Sequence, residues 1–341
     1  MSWYDATEAP NDPLAAVPIR APGSFRRTMH VDVGARQEWV IPLPIAGGAR
    51  DLRTGEDPAA PEVLDQVRVD ATFDRDRSLV AIAADPPAGW VEQLVGTRAG
   101  GGFRRTLAEL VPPEASSSLL RQVIDDMPAA ALISGYAILR VARRAGVKPA
   151  SLTPPNALDH MVNLCSGWRA GGTAASSIGS GDGIPMQDTP PAPRLAGVLG
   201  GSDADDPWAW HDMPVLPPDH MRRRRLLEVL ARADGSFEVW AMFRDTVGED
   251  DGSESVLHEY AVRAVGAHGT LVAVEAEPRV LPFKECPGAA DFVNELAGLP
   301  VAQLATAVPD VLSSTHSCTH LNDLLRALGG LHGLLGVATA A

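Results

Sequence analysis

Apolar and polar positions alternate over two separated stretches of this chain, and the two stretches match. The first half holds Val63-Leu64-Asp65-Gln66-Val67-Arg68-Val69, a turn, then Leu79-Val80-Ala81-Ile82-Ala83-Ala84-Asp85-Pro86. The second half holds Val256-Leu257-His258-Glu259-Tyr260-Ala261-Val262, a turn, then Leu271-Val272-Ala273-Val274-Glu275-Ala276-Glu277-Pro278. Both are rich in β-branched residues and both read as β-hairpins. Asp234-Gly235 predicts a further hairpin turn in the second half.

The correspondence extends to either side. Arg26-Arg27-Thr28 parallels Arg223-Arg224-Arg225, and Arg50-Asp51 parallels Arg244-Asp245. Downstream, Leu94-Val95-Gly96 parallels Leu296-Ala297-Gly298, and Leu107-Ala108 with Val111-Pro112 parallels Leu304-Ala305 with Val308-Pro309. Matches in the same order over so long a stretch predict an internal duplication. Helical periodicity follows the strands, over 89–96, 103–111, 116–126 and 128–145 in the first half, and over 288–298, 300–313 and 318–336 in the second. Strands first and helices after predict an α+β fold. It is read as an antiparallel-sheet-plus-helices unit present twice, as lobes 18–146 and 221–337. A long Gly/Pro-rich connector, 147–220, joins them, and connectors of that length are usually functional or disordered.

Composition narrows the classes. Apolar residues make up 45% of the 341, enough for a sizeable core, and the net charge of −14 argues against nucleic acid as a partner. The acidic start, MSWYDATEAPNDP, lacks the basic and apolar regions of a signal peptide, and no apolar run spans a membrane. Three cysteines do not make a disulfide framework. A cytoplasmic protein with no membrane association is the expectation, with a small-molecule substrate as partner and a homodimer left open.

The segments Phe25-Arg26-Arg27-Thr28, Ile124-Asp125-Asp126-Met127-Pro128, Cys165-Ser166-Gly167-Trp168 and Cys318-Thr319-His320-Leu321-Asn322-Asp323 resemble those of an uncharacterised bacterial family that carries no established activity. Residues of about 254–328 also resemble the iron–sulfur cluster assembly scaffold (NifU-type) fold. Cys286 follows the hairpin 256–278, and His316-Ser317-Cys318-Thr319-His320 opens the last helix, so Cys286 and Cys318 fall where two scaffold cysteines fall. Three departures count against cluster assembly. The scaffold's first cysteine is missing, Ser317 splits its His-Cys pair, and His320 is added.

His258, Cys286, Cys318 and His320 are the candidate metal ligands, since thiolate and imidazole suit zinc or iron. His316 is an alternative to His320. Cys318 at a helix N-terminus is expected to have a lowered pKa. The same residues allow a nucleophilic Cys318 with His258 or His316 as base, oriented by Glu259 or Asp323. They also allow a metal-free acid/base pocket of His258, Glu259 and Glu285. In the first half Ser116 is placed at the position of Cys318, and Asp65 at that of His258. Trp168, Arg169, Trp210, His211 and Arg224 are the candidate substrate-binding residues. Two of Arg222–Arg225 are expected to point into a cleft and two to solvent. Gly179–Gly183 reads as a flexible lid and lacks the flanking elements of a phosphate loop, so no nucleotide is expected. Asp125-Asp126, expected at a helix end, reads as a salt-bridge set between lobes.

The resulting expectation is a small-molecule enzyme with its chemistry in the second lobe, a lyase of retro-aldol type or a hydrolase acting on an apolar or aromatic substrate. A non-catalytic metal or iron–sulfur carrier is the alternative.

Overall fold

The computed structural model describes residues 8–34, 43–74, 76–185, 194–195 and 206–340. The first residues of the acidic N-terminus and much of the predicted connector, 186–193 and 196–205, lie outside that set. Four strands, β1 (Phe25–Val33), β2 (Leu43–Arg53), β3 (Glu62–Phe73) and β4 (Leu79–Asp85), lead into helices α1 (Phe103–Leu110) and α2 (Leu119–Arg144). Three short helices follow, α3 (Pro149–Leu152), α4 (Ala157–Met161) and α5 (Thr173–Gly179), and then the short strand β5 (Arg194–Leu195). The second half gives β6 (Met221–Ala231), β7 (Ser236–Gly248), β8 (Glu254–Ala267) and β9 (Thr270–Val280). A 3₁₀ segment, Cys286–Leu296, leads to α6 (Leu304–Val311), α7 (Thr319–Ala327) and α8 (Leu331–Ala340). No helix among the described residues is long and apolar enough to cross a membrane.

The described strands form one antiparallel sheet of nine, ordered β4-β3-β2-β1-β6-β7-β8, with β9 and the short β5 both pairing with β8. The two meanders meet where β1 runs antiparallel to β6, with Met29 opposite Arg225. Alternation decides what each face carries. In the first meander Met29, Val31, Ile45, Val67, Val69 and Phe73 turn to one face and pack with Val123, Ile124 and Met127 of α2. In the second, Leu227, Val229, Phe243, Tyr260 and Val262 turn to the same side and pack with Leu321, Leu324 and Leu325 of α7. Each such buried side chain contributes about 1.5–3 kcal/mol. The opposite face of the second meander is covered by neighbouring chain. Leu226 and Met242 pack there with Ala209 and Trp210, and Leu14 and Val17 flank them.

Register repeats between the meanders. Arg27 lies opposite Asp51, and Asp51 opposite Asp65. Arg223 lies opposite Asp245, and Asp245 opposite His258. A register shift follows Asp51 in one meander and Asp245 in the other. The predicted turn at Asp234-Gly235 joins β6 and β7, with Gly235 at φ 81°.

Three expectations are corrected. The predicted break between helices 116–126 and 128–145 does not occur, since α2 runs through Pro128. Asp125 and Asp126 are therefore interior helix residues, each with a cationic partner. The predicted helix 318–336 is divided into α7, a turn at Leu328–Gly330 and α8. Close approach to α2 explains the glycine there, since a Cβ on Gly330 would lie 1.7 Å from Gln122 Nε2. Finally, none of Arg222–Arg225 points to solvent, and each is at most 3% exposed. Both faces of β6 are covered, so the expected division into cleft and water is replaced by ion pairs on each side. Arg222 pairs with Asp32 at 2.5 Å and Arg224 with Glu254 at 2.5 Å on one face. Arg223 pairs with Asp245 at 2.8 Å and Arg225 with Asp126 at 2.8 Å on the other.

Candidate functional site

Arg223, Asp245 and His258 occupy neighbouring positions on β6, β7 and β8, and all three point to the helix-bearing face. Arg223 grips Asp245 with a two-pronged fork, Nε to Oδ1 at 2.8 Å and Nη2 to Oδ2 at 3.0 Å. The Nδ1 of His258 lies 3.1 Å from Asp245 Oδ2. Helix α7 closes the site from above with His320 and Asp323, three residues apart and so on one helix face. The His320 ring stacks on His258 with centroids 4.0 Å apart, and its Nε2 lies 4.0 Å from Asp245 Oδ2. Phe243 lies nearly parallel to His320, with ring centroids 6.0 Å apart. Asp245 is fully buried, whereas the side chains of His258 and His320 are 11% and 21% exposed.

The surrounding charges form a chain. Asp323 accepts from Arg223 at 3.1 Å and from Arg104 of α1 at 2.7 Å. Arg104 and Arg326 both approach Asp125, at 3.4 and 3.6 Å. With the Arg225–Asp126 pair, these contacts tie α1 and α2 of the first half to α7 and β6 of the second, a salt-bridge set between the halves. Burial works against ionisation of these carboxylates, but the cations prevail. Asp323 is held down to about 2 by Arg104, Arg223 and Arg225. Asp245 is likewise held below the usual carboxylate range by Arg223 and His258. Burial, assisted by His258, pushes His320 down to about 3, so it is neutral at pH 7.

Of the predicted metal ligands, His258 and His320 come together, and Cys318 lies beside them with its Sγ 3.8 Å from His320 Nδ1. Cys286 belongs to the buried core behind Tyr260, whose hydroxyl donates to the Cys286 carbonyl at 3.1 Å. The third ligand-type side chain beside the two histidines is Asp245, and the three ligand atoms all lie within 4.8 Å of one another. The expected activation of Cys318 is reversed. It does cap α7, but burial outweighs the nearby N–H groups and pushes its thiol up to about 12. On α2 the capping residue is Ser118, not Ser116, and its side chain accepts from the Arg121 N–H.

The sheet separates other predicted partners. Glu259 follows His258 on β8 and so points to the opposite face, where it pairs with Arg244 and accepts from the Leu14 N–H at 2.6 Å. Arg224, Trp210 and His211 are on that opposite face as well. Trp168 packs edge-on to Phe283, within the core that holds Cys286. Its neighbour Arg169 sits by the tight turn at Gly172, where a Cβ would lie 3.0 Å from the Arg169 Cγ. Glu285 accepts from the Thr173 N–H at 3.0 Å, and His316 stacks on Phe292 at 3.8 Å.

Asp245 and Arg223 were missed as site residues. The signal was present, because Arg-Asp inside the apolar strand Met242-Phe243-Arg244-Asp245-Thr246 is a charged pair in a buried position, which requires a partner.

A family described as a protein of unknown function, DUF2889, matches residues 220–332, which run from the start of β6 into α8 and contain Arg223, Asp245, His258, His320 and Asp323. Comparison with curated proteins and with solved structures gives no match.

Proposed function

We propose that the second half carries the active site of a small-molecule enzyme in which His258 transfers the proton and Asp245 fixes its tautomer. The carrying observation is the 3.1 Å contact between His258 Nδ1 and a carboxylate already locked by the Arg223 fork. With Nδ1–H donating to Asp245, the lone pair of His258 lies on Nε2, and the carboxylate stabilises the imidazolium formed when Nε2 takes a proton. His320, neutral and partly open to solvent, supplies a hydrogen bond to a substrate oxygen. Proton removal from a hydroxyl beside such a donor suits retro-aldol cleavage, in which the C–C electron pair passes to the departing carbon and is protonated there. Removal from water suits hydrolysis. Screening β-hydroxycarbonyl compounds and esters tests this. Any activity found should fall by at least about 100-fold in His258→Gln and also fall in Asp245→Asn, with Glu259→Gln as the opposite-face control. Full activity in His258→Gln would overturn the assignment.

A second reading has zinc or iron held by His258, His320 and Asp245, acting as a Lewis acid on a substrate oxygen, and it rests on the convergence of these three groups. Elemental analysis of protein purified without chelator, beside the His258→Ala/His320→Ala double variant, separates the two. Stoichiometric metal lost in the variant supports the metal site, and iron with no turnover supports a carrier instead. No metal in either protein refutes this reading.

We also infer that the two meanders with their helices are copies of one unit joined by 147–220. The support is the shared register, the shared register shift, and the pairing of both Arg27 and Arg223 to an aspartate and to a helix residue, Gln122 or Asp323. Arg27→Met and Arg223→Met should each cost about 3–5 kcal/mol in urea unfolding. A loss at one site with none at the other would count against common descent.

A further inference from the structure

The face of the sheet opposite His258 holds a cavity of about 480 Å³ beside β2 and β3, lined by His30, Gly48, Gln66, Arg68, Asp70 and His211 among others. The matching register explains why it exists. His30 lies opposite Gly48, three residues beyond the Arg27–Asp51 pair. Leu226 lies opposite Met242, three residues beyond Arg223–Asp245. In the second meander Leu226 and Met242 fill the space under Trp210. In the first meander the equivalent positions are an imidazole and a glycine, so the described residues leave the space open. It is narrow at its floor, where a Cβ on Gly48 would lie 3.0 Å from His30 Cε1.

The floor is a hydrogen-bonded relay. His30 Nδ1 meets His211 Nε2 at 2.6 Å, and His211 Nδ1 meets Thr28 Oγ1 at 2.9 Å. Burial, reinforced for each by Arg222 and Arg224, holds both imidazoles neutral, with His30 lowered to about 3. Two neutral arrangements follow. If Thr28 donates to His211, then His211 donates to His30, and His30 Nε2 carries a proton. If the relay runs the other way, His30 Nε2 presents a lone pair. The site can therefore donate or accept a hydrogen bond without changing charge. The charges near it are arranged differently from those of the second meander. Arg244 has Glu259 as partner, whereas its register equivalent Arg50 is directed to the carbonyls of Trp208 and Trp210, at 3.0 and 2.6 Å. Among the described residues the Arg50 Nε has no hydrogen-bond partner, and Asp212 and Asp206 are the carboxylates that act on Arg50 through charge. Arg68 lines the cavity as a cation, and Asp70 and Asp212 line it as anions.

We propose that this cavity is a second small-molecule site, which binds a small organic acid bearing a hydroxyl or amino group. Its carboxylate faces Arg68, its donor group faces Asp70 or Asp212, and His30 Nε2 bonds to whichever polar atom reaches the floor. The site is independent of the proton-transfer reading of His258.

The test is nitrogen-15 NMR of the histidine side chains of the full chain, titrated separately with L-malate, L-serine and 4-hydroxybenzoate at millimolar concentrations. At least one probe should shift the His30 and His211 signals and leave those of His258 and His320 in place. Affinity should weaken by at least about tenfold in Arg68→Gln, an exposed substitution that removes one charge-assisted bond, and in Gly48→Ala, which narrows the floor. Binding should be unchanged in His258→Gln. If no probe moves the His30 and His211 signals, or if binding is undiminished in Arg68→Gln, the proposal is overturned.

Discussion

Asp323→Asn isolates one carboxylate of the charge chain without changing its shape. In the folded protein Asp323 faces Arg104 at 2.7 Å and Arg223 at 3.1 Å, and its pKa lies at about 2 against an ordinary 3.8. A folded-state pKa below the unfolded value means that the ionised form is favoured by folding. The contribution is therefore fully present above the unfolded pKa and is lost as pH falls through the folded one. The difference corresponds to about 2 kcal/mol at neutral pH, fading between about pH 5 and pH 2. The side chain is largely buried, so little of this is screened by solvent. Arg223 retains Asp245 and Arg104 retains Asp125 in the variant, so the loss should not greatly exceed that figure. Urea unfolding of both proteins across pH 7 to 2.5 measures it. The variant should be less stable by about 2 kcal/mol at pH 7, with the gap closing toward acid. A gap that stays constant with pH would mean that Asp323 acts through shape or packing, and the electrostatic account of the chain would be wrong.

Two further outcomes follow from burial and packing. An aromatic disulfide reagent at neutral pH should leave Cys165, Cys286 and Cys318 unreacted in the folded protein and titrate three thiols after denaturation, because burial raises all three thiol pKa values. Rapid labelling of Cys318 in the folded state would revive it as a nucleophile. Gly330→Ala should destabilise by about 1–3 kcal/mol, measured by thermal unfolding, because its Cβ would collide with Gln122 and approach Arg27 Nη1 to 2.9 Å. An unchanged melting temperature would show that the α2 contact yields easily.

Both hairpins were legible because an edge or half-covered strand announces itself by alternation, as Val67, Val69 and Ala71 do against Gln66, Arg68 and Asp70. The likeness of Arg27–Asp51 to Arg223–Asp245 in register was legible for the same reason, since both pairs sit at matching points of an alternating strand. What joins the halves was not. The β1–β6 pairing depends on partners some 200 residues apart, and no local pattern encodes such a pairing. The four arginines of β6 were read as half solvated because their acids, Asp32, Asp126, Asp245 and Glu254, are scattered along the chain. At the site, His258 and His320 were legible as chemistry-bearing residues. Adjacency misled, however. Glu259 is next to His258 in sequence and on the other side of the sheet in space, whereas Asp245 is distant in sequence and 3.1 Å away. Cys318 does stand at its helix start, but desolvation outweighs the helix dipole for a buried thiol.

The arginine run also bears on how the seam is specified. A one-residue slip of a strand turns every side chain to the opposite face. An apolar central strand buried on both sides would resist such a slip only weakly, because either face accepts a Leu or a Val. In β6 the faces are not interchangeable. Arg222 and Arg224 find Asp32 and Glu254 on one side, and Arg223 and Arg225 find Asp245 and Asp126 on the other. A slip would separate four buried cations from four carboxylates, and each broken pair costs about 3–5 kcal/mol. Buried ion pairs add little to net stability relative to well-packed apolar groups, so their value here lies in discrimination between registers. That register sets Arg223 opposite Asp245 and thereby holds the carboxylate where His258 meets it. The run is therefore better understood as the device that aligns β6 with its neighbours than as a set of two cleft-facing and two solvated arginines.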